Sequence, residues 1–190
     1  MGAEITGIDL GGIDLGGDGL GGDEFPAGLI AEIRAVWLDY HMVVIRNQGL
    51  APARQLALAK AIGTPDIYPF LDGLDEFPEI TSVLKRETET VNFGGVWHTD
   101  TIYQDNPPMA TMLQAIELPP IGGDTLFANQ HLAWEQLSDG MKETLAGLRV
   151  ICTAGKSKVA ASRTARVAEK GKGVDAQAME ASHPIVRTHP

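Results

Sequence analysis

His98 and Asp100, one residue apart in the run Gly94-Gly95-Val96-Trp97-His98-Thr99-Asp100-Thr101-Ile102-Tyr103, are the residues here whose types and spacing suit chemistry. In an extended segment alternate side chains share a face, so an imidazole and a carboxylate at this spacing point the same way. Side by side they can bind one divalent metal ion. They supply two thirds of the 2-His-1-carboxylate triad that holds non-haem Fe(II) and leaves positions open for substrates. The spacing alone is a weak signal, because a lone histidine is more often structural than ligating. The surrounding elements must strengthen it.

The β-branched and aromatic residues around the pair read as a strand, with Trp97 on the opposite face, packed behind the metal side. Upstream, Pro26 stands where a helix can begin, and Leu29, Ile30, Ile33, Val36 and Trp37 fall at helical spacing. His41–Arg46 reads as a buried strand. Pro52 opens a second helix, with Leu56 and Ile62 inward and Gly63 as its stop. Residues 64–79 read as loop, and Ile80–Leu84 as a short strand. Further strands are expected over Ala110–Ile116, Asp124–Ala128 and Arg149–Thr153. Asn129 and Ser138 can each cap a helix. Short strands interleaved with a few helices predict a mainly β core with flanking helices.

The chain has 190 residues, 44% hydrophobic and 21% charged, enough for one ordinary domain with a sizeable core. A formal net charge of −10 argues against nucleic acid and anionic membrane as partners, since both call for clustered Lys and Arg. Cys152, the single cysteine, excludes an intrachain disulfide framework. Its apolar neighbours Val150 and Ile151 suggest a buried structural thiol. Without a signal peptide or an apolar span, the expected location is cytoplasmic. Gly17-Asp18-Gly19-Leu20-Gly21-Gly22 matches G-x-G-x-x-G in form, but no convincing βαβ unit is expected around it, so a dinucleotide site is rejected. Gly155-Lys156-Ser157 resembles the end of a P-loop, with Val150 where the first glycine belongs. No G-x-S-x-G elbow is present. Residues 155–181 are small, polar and basic without apolar period, and read as a mobile excursion or lid.

Five segments occur together in one order: Gly2–Leu10, Trp97-His98-Thr99-Asp100, Pro107-Pro108, Gly122-Gly123-Asp124-Thr125 and His183-Pro184-Ile185-Val186-Arg187-Thr188-His189-Pro190. In these motifs the chain resembles the taurine dioxygenase / dichlorophenoxyacetate dioxygenase (TauD/TfdA) family of Fe(II)- and 2-oxoglutarate-dependent oxygenases. The resemblance implies a double-stranded β-helix, or jelly roll, over residues 1–190 as a single dioxygenase domain. It implies His98 and Asp100 as iron ligands, and Thr125 as the hydroxyl that binds the distal carboxylate of 2-oxoglutarate. Tyr68, in Asp66-Ile67-Tyr68-Pro69, corresponds to a loop position that contacts substrate. Fe(II), 2-oxoglutarate and O2 are the implied cofactor and co-substrates. The implied substrate is a small organic anion of sulfonate, phenoxyalkanoate or sulfate-ester type, and association into homo-oligomers is an expectation of the same kind.

The resemblance also calls for a second histidine and a later arginine that pairs with the keto acid. His189 and Arg187 do not fit these roles: their segment precedes the family's distal histidine, and the arginine should follow that histidine. His183 and His189, each before a proline, read instead as turn or strand-edge residues. The jelly roll is therefore expected to be incomplete at the C-terminus, without the distal His and Arg. The competing reading is a catalytically inactive jelly-roll binding module with an incomplete metal site.

Overall fold

The structure is a computed structural model that describes residues 1–12, 24–88, 94–155, 172, 174–175 and 178–188. The chain falls into two compact units, Met1–Pro65 with Met112–Gln136, and Asp66–Thr111 with Leu137–Pro190.

In the first unit, β1 (Ala3–Ile5) and β2 (Val43–Ile45) pair in parallel with Ala3 opposite Val43 and Ile5 opposite Ile45. A parallel pair needs a crossover, and α1 (Ala27–Tyr40) supplies it. Pro26 precedes α1 with φ already at −55°, the value a helix start requires. His41 ends the helix in the left-handed region (φ 67°), its N–H bonded to the Trp37 carbonyl. Pro52 begins α2 (Pro52–Ile62), and the Gly63 N–H closes it on the Ala59 carbonyl. Leu10, Phe25, Ile33 and Leu58 form the buried core, with Ile5, Ile30, Ile45 and Ile62 packed against it.

Polar side chains tie the loops to this core. The Leu10 N–H donates to Gln48 Oε1 at 2.6 Å, and Gln48 Nε2 donates to the carbonyls of Ile8 and Arg46. Arg54 donates to the Leu10 carbonyl at 2.8 Å while its guanidinium lies 3.9 Å from the Phe25 ring centre. Gln114 Nε2 donates to the Leu50 carbonyl at 2.9 Å. The short helix α3 (Gln130–Glu135) starts where expected: Asn129 Oδ1 accepts from the Leu132 N–H. His131 in its first turn stacks on His41, with ring centres 4.9 Å apart.

In the second unit, Ser138 caps α4 (Asp139–Ala146) by accepting from the Met141 N–H. β3 (Arg149–Thr153) pairs antiparallel with β4 (Glu180–Pro184), Val150 opposite His183 and Cys152 opposite Ala181. Phe70, Tyr103 and Ala154 make a buried cluster flanked by Tyr68 and Met179. Phe70 and Tyr103 meet edge to face at 5.5 Å, a favoured aromatic geometry. Cys152 is a half-buried free thiol.

Several sequence expectations need correction. Among the described residues the sheets are two small two-stranded ones, so a mainly β core is not seen there. Residues 80–84, 96–103, 110–116 and 124–128 are not in strands. A strand is defined by a partner in a ladder as much as by its own propensity. No described segment pairs with these runs. Leu113, Ile116 and Leu126 are accordingly exposed, not core. A small βαβ unit does lie where none was expected. In sequence, Gly17 comes well after Ile5 and Gly22 stops short of Ala27, whereas a dinucleotide fingerprint begins directly after its strand and opens its helix. That glycine run, and most of the expected lid at 155–181, lie outside the described residues, while Glu180 and Ala181 belong to β4. Among the described residues no helix is long and apolar enough to cross a membrane.

Candidate metal centre

The His98–Asp100 segment belongs to the second unit; it is irregular and runs into a turn over 100–103, with both side chains open to solvent. Gly94 enters it at φ +71°, and a Cβ there would stand 3.2 Å from Cε1 of His98. Only glycine meets both the backbone requirement and the close approach of the imidazole. Trp97 does not pack behind the site; it is 69% exposed. Among the described residues no strand ladder forms here to hold the indole against a neighbouring layer.

His98 Nδ1 lies 2.7 Å from the Val96 carbonyl oxygen. A carbonyl only accepts, so Nδ1 carries the proton of this contact and the neutral ring presents its lone pair at Nε2. That Nε2 is 2.9 Å from Asp100 Oδ1. Two lone pairs at this distance need a cation between them: a second ring proton, or a metal ion. Two ligand atoms bound at right angles with bonds of about 2.1 Å stand about 3.0 Å apart, so the separation of the pair is one that two ligands of a single ion would have. The other carboxylate oxygen is engaged: Thr111 Oγ1 donates to Asp100 Oδ2 at 2.7 Å. This contact holds the carboxylate plane and leaves Oδ1, the oxygen beside His98, as the one that could face a metal ion. The donor set fits Fe(II), two ligands of the three in the facial triad. Among the described residues no group of three or more His, Cys, Asp or Glu converges on a point.

Immediately after Asp100 the backbone turns through Thr101 at φ 49°, an uncommon conformation for a β-branched residue. The Gln104 N–H donates to the Thr101 carbonyl at 2.9 Å, and the Gln104 side chain donates to Asp66 Oδ2 at 3.1 Å. Tyr68 lies in the same unit as the pair, half-buried, its ring edge to face with Phe70 at 5.6 Å. Lys172 Nζ donates to the Tyr68 carbonyl at 3.2 Å. Thr125 belongs to the first unit, exposed in a segment without regular secondary structure that follows Gly122 and Gly123, both at positive φ.

Thr111 escaped the sequence reading, and His183, read there as a turn or strand-edge residue, proves to be buried within a strand. Thr111 sat inside an expected strand, and nothing in its neighbours marks it as the partner of Asp100. His183 is 5% exposed inside β4, with Nε2 2.9 Å and 3.0 Å from the carbonyl oxygens of Ile102 and Gln104. Its burial follows from the alternation of β4, in which Ala181 and His183 face inward. The small-polar-His run Glu180-Ala181-Ser182-His183 hid that period because only one of its inward residues is apolar.

The profile of the taurine catabolism dioxygenase TauD, TfdA family matches residues 11–190, and the chain belongs to this family. A taurine dioxygenase from Burkholderia xenovorans superposes over the whole chain with a TM-score of 0.72 at 28% identity, this chain covering 56% of that structure. An alpha-ketoglutarate-dependent 2,4-dichlorophenoxyacetate dioxygenase from a Burkholderia species is 34% identical over 165 residues, 78% of this chain and 54% of the relative. An alpha-ketoglutarate-dependent sulfate ester dioxygenase from Pseudomonas putida is 24% identical over the whole chain and 60% of its own length. The chain therefore spans little more than half of each of these three proteins.

Proposed function

We propose that this chain forms part of a single dioxygenase domain dependent on Fe(II) and alpha-ketoglutarate (2-oxoglutarate), with the jelly-roll fold, and that it provides two of the protein ligands to the iron. The observation that carries this reading is the 2.9 Å convergence of His98 Nε2 and Asp100 Oδ1, with Nδ1 and Oδ2 each held by another group. Bound iron, with the keto acid and O2, supplies the oxidising power to hydroxylate a substrate C–H bond as succinate and CO2 form. The chain's residues do the positioning. Val96 fixes the His98 tautomer, and Thr111 sets the Asp100 carboxylate so that one oxygen faces the ion. The Thr125 hydroxyl is suited to donate to the distal carboxylate of the keto acid, and Tyr68 to line the substrate side.

Substrates are small organic anions, of sulfonate, phenoxyalkanoate or sulfate-ester type. The relatives support this class, since taurine, 2,4-dichlorophenoxyacetate and sulfate esters each carry a sulfonate, carboxylate or sulfate group on a small organic frame. Adding Fe(II) and 2-oxoglutarate to the intact protein without oxygen should give the weak visible charge-transfer band of the chelate, and admitting oxygen should give succinate. Absence of both signals, or their persistence in Asp100→Ala, would sink the proposal.

A further inference from the structure

The turn that carries Asp100 cannot hold itself. Thr101, the next residue, sits at φ 49°, and a non-glycine residue in that region persists only where its surroundings over-determine it. The turn hydrogen bond from the Gln104 N–H to the Thr101 carbonyl is one constraint. Burial of Tyr103 against Phe70 is a second. The third comes from a different element. His183, on β4, reaches the carbonyl oxygens of Ile102 and Gln104 with one ring nitrogen, at 2.9 and 3.0 Å.

Both partners are carbonyls, which only accept, so Nε2 must be the protonated nitrogen and must serve both oxygens as a shared donor. These carbonyls flank Tyr103 on either side, two and four residues beyond Asp100. One buried side chain thus grips the exit of the turn while Thr111 grips the carboxylate itself. We propose that His183 is a positioning residue for the metal centre: it locks the 101–104 turn in its left-handed entry and thereby fixes where Asp100 presents its carboxylate. This rests on the assignment of Asp100 as a ligand. Without the donor, two carbonyls lose their partner, Thr101 relaxes toward an ordinary φ, and the peptide joining it to Asp100 rotates.

The requirement is for an N–H donor at this place, which a glutamine amide can supply and a phenylalanine ring of similar shape cannot. His183→Phe and His183→Gln therefore separate donation from bulk. The readouts are hydrogen exchange of the 101–106 amides and the affinity of the 190-residue chain for Mn(II), followed by electron paramagnetic resonance. His183→Phe should speed exchange in 101–106, leave the 149–153 amides of β3 protected, and weaken Mn(II) binding by about 10- to 100-fold, the usual scale for groups that orient a ligand. His183→Gln should keep both values near those of the native chain. Native exchange and affinity in His183→Phe would overturn the proposal, as would a His183→Gln variant as impaired as His183→Phe. Loosening spread evenly over β3 and β4 would also overturn it, since that is what general packing predicts. If His183→Phe does not fold, His183→Gln decides alone, by retaining or losing the native values. If exchange responds as described while Asp100→Ala keeps the native Mn(II) affinity, the ligand assignment of Asp100 has failed and the His183 clamp on the turn stands.

Discussion

The core of the first unit and the 94–111 segment of the second are built in opposite ways. Around Leu10, Ile33 and Leu58, regular elements with apolar faces pack on one another, and the backbone is satisfied within helices and a strand pair. Between Gly94 and Thr111 there is no regular element. The chain is held by single contacts: a glycine against an imidazole, a hydroxyl on a carboxylate, a histidine on two carbonyls. The first design spreads its stability over many weak contacts, so loss of one is a graded matter. The second gives particular atoms particular positions at little gain in stability, because a solvent-exposed His–Asp pair contributes on the order of 0–1 kcal/mol. Stability and the candidate metal centre thus rest on different residues.

That separation can be broken by mutation. Leu58→Ala should cost about 2–5 kcal/mol in urea unfolding, the range for deleting a buried leucine side chain, yet leave Mn(II) affinity unchanged wherever the variant is folded. Asp100→Ala should do the reverse, with Mn(II) affinity falling beyond the roughly 100-fold seen when only an orienting group is removed, and a urea midpoint close to native. A large stability loss in Asp100→Ala would show that the turn is structural after all. Thr111→Val, which keeps shape and removes the donor, should weaken Mn(II) binding by about 10-fold, with Thr111→Ser retaining it. Equal affinity in the valine variant would mean that the carboxylate orients itself. The smallest effect belongs to a helix end: Asn129→Ala should cost about 1 kcal/mol by loss of its bond to the Leu132 N–H, without any change in metal binding.

The same contrast explains what could be read from the sequence. Helical spacing from Leu29 to Trp37, prolines at both helix starts and caps at Asn129 and Ser138 are local signals, and α1, α2 and the two capped helices form where these signals put them. β2 and β3 lie within the runs that suggested them. The expected strands at 80–84, 96–103, 110–116 and 124–128 failed because propensity does not name a partner, and pairing is a property of two segments. His98 and Asp100 were found by residue type and spacing, and the structure brings them together, though in an irregular segment rather than on the face of a strand. Thr111 and His183 act on that turn across 11 and about 80 residues of sequence, and the left-handed Thr101 carries no marker in its side chain. Contacts of that range are written in the tertiary fold alone.

Trp97, thrown out to solvent beside His98, gives the site an optical reporter of its own. Its indole is one peptide unit from the imidazole, so a paramagnetic ion seated between His98 and Asp100 should quench its emission. Trp37 and Trp134 are both half-buried and lie in the other unit. The difference between the native chain and Trp97→Phe therefore isolates the local signal, and metal occupancy becomes readable by light before any catalytic turnover is attempted.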